Sequence, residues 1–243
     1  MIDLHSHILP DVDDGPGDFE TALRMCLAAR EDGCHTIVAT PHHRHPLFAE
    51  PRPDHLRRLL ARLQSAVGPG LRLLVGAEIR VDDQLVAELV EGPADHVPVL
   101  GESRSLLLEF PDHPPSHDPA AVVHELAVAG YRPVVAHPEL LPWLAVDLDL
   151  LRRLVHRGAL LQITADSVTG RGRSPARSAA REMIESGLAH IVASDCHDLE
   201  ARPPGLTAAW DSISRRWGVD TARRLLLENP RAVLRDQPLE RAA

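Results

Sequence analysis

Ile2-Asp3-Leu4-His5-Ser6-His7 opens the chain as a short apolar strand that ends in two histidines. Side chains alternate along a strand, so both imidazoles are predicted to point to the same side, about 6 to 7 Å apart along the backbone. That spacing suits one metal ion. A His-x-His pair also occurs in loops that bind nothing, so this pair alone leaves the question open.

The same pattern recurs along the chain, because later apolar, β-branched segments also end in residues that can bind metal. These ends are Thr40-Pro41-His42, Gly76-Ala77-Glu78, Leu108-Glu109, Ala136-His137 and Ser194-Asp195-Cys196-His197. Helical apolar spacing fills the stretches between them; the first predicted helix spans residues 19–32, capped by Asp18 and ended by Gly33. Apolar strands separated by helices are typical of parallel strands that helices cover on their outer side.

This alternation predicts an α/β fold in which seven strand-helix units form a closed or nearly closed barrel. The predicted strands begin at residue 2 and then span 35–40, 71–78, 105–110, 132–137, 159–164 and 190–194. No linker or low-complexity tract interrupts the alternation, so we expect residues 1–243 to form a single domain. In such barrels chemistry gathers at the C-terminal ends of the strands, where the candidate ligands lie.

The bulk composition excludes several functional classes. A formal net charge of −9, with no lysine in the chain, argues against a nucleic-acid partner. The first strand leaves no room for a secretory signal, and no apolar run has the length that a bilayer requires, so we expect a cytoplasmic protein without membrane insertion. Cys26, Cys34 and Cys196 are too few and too scattered for a disulfide framework or a thiolate zinc site.

Several motifs taken together resemble the polymerase-and-histidinol-phosphatase (PHP) superfamily. They are the opening motif, Asp13-Asp14-Gly15, Thr40-Pro41-His42, Ser194-Asp195-Cys196-His197 with Arg202-Pro203-Pro204, and Glu228-Asn229-Pro230. Within that superfamily the chain is most similar to the bacterial manganese-dependent protein-tyrosine phosphatases of capsule and exopolysaccharide gene clusters. The resemblance implies a distorted (β/α)7 TIM-like barrel of PHP type with a three-metal centre.

The resemblance also implies which residues hold the three ions. One ion would be bound by His5, His7, Glu78 and Asp195, a second by Glu78, Glu109 and His137, and the third by Asp14, His42 and His197. Imidazole with carboxylate suits manganese, the expected metal, and also iron or zinc. The four carboxylates in this set would repel one another strongly without cations.

Such a centre favours hydrolysis of a phosphate monoester by a hydroxide that bridges the metals. The implied catalytic residues are Arg202, Asp195 and His197, with Arg202 orienting the phosphate through its planar fork of donors. His43 and Arg44 are predicted to contact substrate. The expected substrate is phosphotyrosine on a protein of polysaccharide assembly, with a bacterial tyrosine kinase as the partner; family members can form homo-oligomers.

One position departs from the family pattern. These phosphatases usually carry His-x-Glu-Arg after the fifth strand, whereas this chain has His137-Pro138-Glu139-Leu140, and Leu140 cannot donate a hydrogen bond to phosphate. Arg44, Arg171 or Arg173 replaces the missing arginine, or phosphate affinity is lower, or the substrate differs. The alternatives are therefore a small-molecule phosphatase acting on histidinol phosphate or a sugar phosphate, and a metal-binding regulatory protein with weak catalysis.

Cys196 and Arg202 also satisfy the Cys-x5-Arg spacing of cysteine-dependent tyrosine phosphatases. Those loops surround phosphate with backbone N–H groups and usually need glycine, whereas Asp198 and Glu200 would repel a phosphate here. We therefore expect this spacing to be coincidental and Cys196 to pack behind the metal ligands.

Overall fold

Parallel strands form the centre of the protein. A computed structural model describes residues 1–91, 98–171 and 174–239, and His96 and Arg173 lie outside these ranges. The strands of the described ranges are β1 Ile2–Ser6, β2 Thr36–Ala39, β3 His42–His43, β4 Arg72–Val75, β5 Glu78–Arg80, β6 Ser105–Glu109, β7 Arg132–Ala136, β8 Leu160–Thr164 and β9 Ile191–Ala193.

The strands pair in two parallel sheets, in the orders β1-β2-β4 and β3-β5-β6-β7-β8-β9. Strands β3 and β5 continue β2 and β4 after short interruptions, and the Gly76 N–H, which lies between β4 and β5, donates to the carbonyl of Ala39 at 2.8 Å. At the other seam the Asp195 N–H donates to the His5 carbonyl at 2.9 Å, and Ser6 bridges Cys196. The described strands thus occupy seven positions in a ring, and the predicted (β/α)7 barrel class is confirmed.

The predicted strand over residues 71–78 is wrong in one respect, because it is interrupted at Gly76-Ala77. A Cβ at position 76 would lie 3.0 Å from Leu100 Cδ2 and 3.2 Å from Val38 Cγ1, so these side chains would have to shift to admit a larger residue than glycine. The predicted strand over 35–40 likewise ends early. Pro41 follows, and a proline has no N–H to donate to a neighbouring strand.

Helices surround the strands on the outer side. They are α1 Phe19–Glu31, α2 Pro53–Val67, α3 Leu85–Glu91, α4 Pro119–Val128, α5 Pro142–Ala145, α6 Leu148–His156, α7 Ala165–Thr169, α8 Ser174–Glu185, α9 Thr207–Trp217, α10 Val219–Arg223 and α11 Asn229–Leu234, with a 3-10 turn at Pro138–Leu140 and a π-helical turn at Arg224–Glu228. The predicted cap of α1 is confirmed, since Asp18 Oδ1 accepts from the Thr21 N–H at 2.8 Å. Among the described helices, none has the length and apolarity needed to cross a bilayer.

Two apolar clusters lie on opposite sides of the strands. The outer cluster joins strand residues such as Leu108 to the buried faces of the helices. The inner cluster fills the space inside the ring of strands and includes Leu4, Val38 and Leu107. Residues two apart on a strand share a side. Toward the C-terminal ends of the strands these inward positions change from apolar to polar, as from Leu107 to Glu109 on β6. The apolar inner cluster therefore lies directly beneath the polar side chains at the strand ends.

Candidate metal centre

Imidazoles and carboxylates converge at the C-terminal ends of the strands, directly above the inner cluster. Their donor atoms fall into four overlapping groups, each with all its donor atoms within 4.8 Å of one another. The groups are His5 with His7 and Asp195; His5 with Glu78 and His137; His7 with Asp14, His42 and His197; and His42 with His45 and Glu109. All nine predicted metal ligands therefore lie in one region of the described structure.

The four residues predicted for the first ion face one another. His5 Nε2 lies 3.3 Å from His7 Nε2 and 3.3 Å from Asp195 Oδ1. Glu78 Oε2 lies 3.4 Å from the Nε2 atoms of both histidines. The two imidazoles of the opening motif thus aim their outer nitrogens at the same small volume, as their alternation along the strand predicts.

Glu78 is the central carboxylate of the site and is only 1% exposed. Its Oε1 lies 2.7 Å from His137 Nε2, and its Oε2 lies 3.1 Å from His42 Nδ1. Burial opposes ionisation of Glu78, but the charges of His5 and His137 outweigh burial and hold the pKa of Glu78 well below its ordinary value. The same pairing overcomes the burial of His137 and raises the pKa of that histidine to about 10. The Glu78 carboxylate therefore favours positive charge on the imidazoles of His5 and His137.

The third predicted group lies nearer to solvent. Asp14 Oδ1 lies 3.3 Å from His197 Nε2 and 3.6 Å from His42 Nε2, and His7 joins the same group. Asp14 is 40% exposed on its side chain, whereas His197 is buried. Partial burial opposes ionisation, but a hydrogen bond from His197 outweighs it and lowers the pKa of Asp14. This group marks the mouth of the site.

Glu109 is the predicted partner of Glu78 and His137 on the second ion. The β5–β6 register pairs Glu78 with Leu107 and Arg80 with Glu109, so Glu109 lies nearer the mouth than Glu78. Its Oε1 accepts from Arg80 Nη1 at 3.1 Å, and its Oε2 has no hydrogen-bond partner among the described residues. The donor atoms of Glu109, His42 and His45 lie within 4.8 Å of one another.

Two polar residues outside the predicted set hold the histidines in place. Asp13 Oδ2 accepts from His7 Nδ1 at 2.7 Å and from the His42 N–H at 3.0 Å. Gln162 Oε1 lies 2.9 Å from His5 Nδ1. A hydrogen bond on one ring nitrogen fixes which nitrogen is left to bind metal. The sequence signals were Asp13 beside the predicted ligand Asp14 and a glutamine inside an apolar strand.

Two further buried carboxylates tie together the backbone around the site. Asp3 Oδ1 accepts from the Ser194 N–H at 3.0 Å, next to Asp195. Glu139 Oε1 accepts from the Thr164 N–H at 2.7 Å and from the Thr164 hydroxyl at 3.0 Å. Burial raises the pKa of both carboxyl groups. They are therefore structural supports of the strand ends.

Left-handed backbone occurs at two of the predicted ligands. His137 has φ 31° and Asp195 has φ 54°. Such conformations cost non-glycine residues about 1 to 3 kcal/mol each and persist where the surrounding structure fixes them. Both residues follow directly or closely on a strand, so the unusual φ turns the chain sharply and aims the side chain back over the barrel.

The structure separates the predicted arginines. Arg202 Nη2 lies 3.2 Å from Asp14 Oδ2, and its Nη1 lies 3.8 Å from Asp195 Oδ2, with a side chain that is 44% exposed. Arg44 instead pairs with Asp82, at 2.7 Å, and with Glu88. The first arginine lies at the mouth of the cluster, and the second contacts carboxylates outside it.

His43 was predicted as a substrate contact, and its side chain pairs with Glu50 outside the cluster. Neighbouring strand residues point to opposite sides, so His42 of β3 faces inward and His43 faces outward. Leu140 ends the 3-10 turn and is 44% exposed, and Arg171 is also exposed. The structure therefore brings neither His43 nor Arg44 into the cluster.

Cys196 packs behind the ligands, as expected. The residue is fully buried, and burial together with the charge of Asp3 raises the pKa of its thiol well above the ordinary value. Asp198 Oδ1 accepts from the N–H groups of Glu200 and Ala201 at 2.6 Å and from that of Arg202 at 3.2 Å. A phosphate-binding loop would need those N–H groups free, so the Cys-x5-Arg spacing is not a cysteine-phosphatase loop.

An aromatic surface borders the centre. The Phe48 ring stacks on His42 at 5.0 Å between ring centroids with an angle of 8° between the planes, and His45 stacks on Phe48 at 4.9 Å. Phe48 is half-buried. Three aromatic rings thus pack against one another beside a predicted ligand.

A parallel barrel whose strand ends carry clustered imidazoles and carboxylates defines the class of metal-dependent barrel hydrolases. Residues 1–235 match the family described as capsular polysaccharide synthesis, CpsB/CapC. The chain belongs to the CpsB/CapC family.

Named relatives cover nearly the whole chain. It is 32% identical over 244 residues to the tyrosine-protein phosphatase CpsB of Streptococcus pneumoniae, covering 98% of this chain and 99% of the relative. It is 33% identical over 245 residues to the tyrosine-protein phosphatase YwqE of Bacillus subtilis (strain 168), covering 99% of this chain and 94% of the relative. A solved structure from work on YwqE and CpsB, described as unique metal-dependent tyrosine phosphatases, superposes with a TM-score of 0.90 at 33% identity, covering 100% of this chain and 97% of that one. The predicted family is confirmed.

Proposed function

We propose that this chain is a metal-dependent phosphatase that removes phosphate from phosphotyrosine on a protein of capsule or exopolysaccharide synthesis. The observation that carries the proposal is the set of overlapping imidazole and carboxylate groups at the strand ends. Family membership and relatives named as tyrosine-protein phosphatases support the substrate class. We further propose that residues 1–243 act as one domain.

The donor atoms fit divalent ions. Within the described residues, Glu109 Oε2, His42 Nδ1 and His137 Nδ1 are buried without a hydrogen-bond partner, so ligand atoms are available at the centre. The set contains imidazoles and carboxylates but no thiolate, which suits manganese first and iron or zinc as alternatives. Like-charged carboxylates this close together also need cations between them.

Three ions are proposed, with Glu78 shared between two of them. The first would be held by His5, His7, Glu78 and Asp195, the second by Glu78, Glu109 and His137, and the third by Asp14, His42 and His197. His5 and His7 also contact the neighbouring groups, so the three sites share one continuous cluster. Asp195 and His197 bring the end of β9 to this cluster.

Divalent ions held there would supply a water-derived nucleophile near neutral pH and would neutralise charge on the phosphoryl oxygens. Arg202, exposed at the mouth, binds and orients the phosphate through its fork of N–H donors. Phe48 offers its ring face to the phenyl group of tyrosine, since aromatic rings stack favourably at 4.5 to 7 Å. The proton for the leaving phenolate would come from a histidine or from a water at the centre.

A small-molecule phosphatase on the same centre is the second candidate. Leu140, 44% exposed where the family pattern has arginine, favours it because the position lacks a phosphate donor. A regulatory protein with weak catalysis would share that feature, but the complete ligand set opposes it.

The test compares phosphate release from a phosphotyrosine peptide and from histidinol phosphate, with manganese present. We expect faster release from the peptide, and no activity on the peptide would exclude our first choice. Asp195→Ala is the control for the metal mechanism, because it removes a predicted ligand; unchanged turnover in that variant would exclude the mechanism. Metal analysis of protein purified without added metal gives the number and identity of the ions.

We propose that the partner is a phosphorylated protein, with a bacterial tyrosine kinase as the first candidate. The three cysteines are buried and unpaired, which suits the reducing conditions of the cytoplasm, where such a kinase domain and its phosphatase would meet. A homo-oligomer is proposed as well, and sedimentation of the purified chain tests it.

A further inference from the structure

Two arginines of the described residues contact carboxylates of the candidate metal centre. Arg202 pairs with Asp14 and Asp195, and Arg80 pairs with Glu109. We propose that Arg80 is a second catalytic residue that binds the phosphoryl group together with Arg202. This inference rests on the proposed function, since it names a further group that would hold the same phosphate.

The position of Arg80 follows from its strand. Glu78 and Arg80 both belong to β5 and are two residues apart, so their side chains lie on the same, inward side. Arg80 is the one nearer the C-terminal end, which opens to the mouth of the barrel. The exposed fraction of the side chain rises accordingly, from 1% at Glu78 to 18% at Arg80. Arg80 is therefore placed one layer above the central carboxylate, within reach of a ligand that enters the mouth.

The guanidinium of Arg80 has donors to spare. Its Nη1 donates to Glu109 Oε1 at 3.1 Å, and no second acceptor is recorded for it among the described residues. A guanidinium carries five N–H donors, in a geometry that matches the oxygens of phosphate. A phosphate monoester carries about two negative charges near neutral pH, which suits two arginines.

The two arginines approach the cluster from different sides. Arg202 contacts Asp14 and Asp195, which belong to two different donor groups, whereas Arg80 contacts Glu109, which belongs with His42 and His45. A phosphoryl group above the cluster would therefore meet a guanidinium on each side. This arrangement supplies the second donor that Leu140 cannot.

Arg44 is the other candidate for this role, because it directly follows β3, whose His42 faces the cluster. Its guanidinium already pairs with both carboxylate oxygens of Asp82 and with Glu88. Moving it onto a phosphate would break those contacts. Arg80, in contrast, would keep its single contact with Glu109 while binding substrate.

The experiment measures inorganic phosphate as an inhibitor, with KM and kcat for a phosphotyrosine peptide, on the manganese-loaded enzyme. Arg80→Met should weaken phosphate binding about 10- to 100-fold, because it removes charge-assisted hydrogen bonds. Arg80→Lys should fall between Arg80→Met and the parent, since it keeps the charge but loses the fork. Arg181→Met is the matched control, since Arg181 pairs with Glu185 at 2.9 Å on the exposed face of α8.

Manganese content per chain separates binding of phosphate from mere positioning of Glu109. Unchanged manganese content with weakened phosphate binding supports the proposal. Unchanged phosphate binding in Arg80→Met, or weakening that tracks loss of manganese, overturns it, as does a larger effect in Arg44→Met. If the parent enzyme fails to hydrolyse the peptide, the proposed substrate is wrong; calorimetric titration of the manganese-loaded protein with phosphate then still tests Arg80.

Discussion

Asp13 gives the sharpest test of how the site is organised. One carboxylate accepts three hydrogen bonds, from His7 Nδ1, from the His42 N–H and from the Gly15 N–H at 3.1 Å. It therefore holds two predicted ligands, one directly after β1 and one in β3. Asp13→Asn keeps the shape of the side chain but replaces one acceptor oxygen with a donor.

The expected effect follows from the bonds that are lost. Asparagine retains one acceptor oxygen, so at least one hydrogen bond to a charged acceptor is lost, worth about 1.5 to 3 kcal/mol. About 1.4 kcal/mol corresponds to tenfold in Kd, so the affinity for manganese should fall about 10- to 100-fold. Removal of an outer partner of a metal-binding histidine is expected to have an effect of that size.

Competition between the protein and a metal-sensitive chelator dye measures the manganese affinity. Asp11→Asn is the matched control, since Asp11 lies in the same loop and is exposed. Thermal unfolding monitored by circular dichroism checks that both variants are folded. Manganese affinity within twofold of the parent in a folded Asp13→Asn protein would refute the reasoning.

Three further outcomes are expected. Burial lowers the pKa of His190 from 6.5 to about 4, and the Leu161 N–H donates to its Nδ1. The neutral imidazole therefore stabilises the folded protein above pH 6.5, and this stabilisation is lost as pH falls toward 4. Urea unfolding should therefore show a loss of about 1 to 2 kcal/mol between pH 7 and pH 5 that His190→Gln reduces, and equal pH slopes would contradict this. Cys196→Ala should keep most phosphatase activity because the thiol is buried and protonated, and a loss as large as that of Asp195→Ala would point to a nucleophilic cysteine. Chelation of metal should lower the melting temperature of the parent protein, with recovery on adding manganese, because carboxylates such as Glu78 lose their counter-charges; an unchanged melting temperature would argue against bound ions.

The alternation of strands and helices was predictable from the sequence because it depends on local patterns. Asp18 caps α1 as predicted, and His5 and His7 point to one side as two-residue spacing requires. The convergence of strand ends then follows from the parallel barrel itself, which is why most of the candidate ligands could be named in advance.

Features that depend on the register between strands were not predictable. Glu109 meets Arg80 only because β5 and β6 are paired in one particular register. His43 faces outward because β3 is a separate two-residue strand, which the sequence does not show. In the sequence Gln162 is only a polar residue inside an apolar strand, and the arrangement of the strands is needed to place it beside His5.

The seam between Ser6 and Cys196 has a consequence for the synthesis of the protein. The ribosome makes His5 and His7 about 190 residues before their predicted partner Asp195. Contacts between residues so far apart in sequence form late and slow the folding of a chain. Until β9 has been made, the strand edges beside the two histidines are unpaired, and unpaired strand edges are prone to aggregation. A truncated product lacking β9 should consequently be unable to form the first metal group, however much of the barrel it contains.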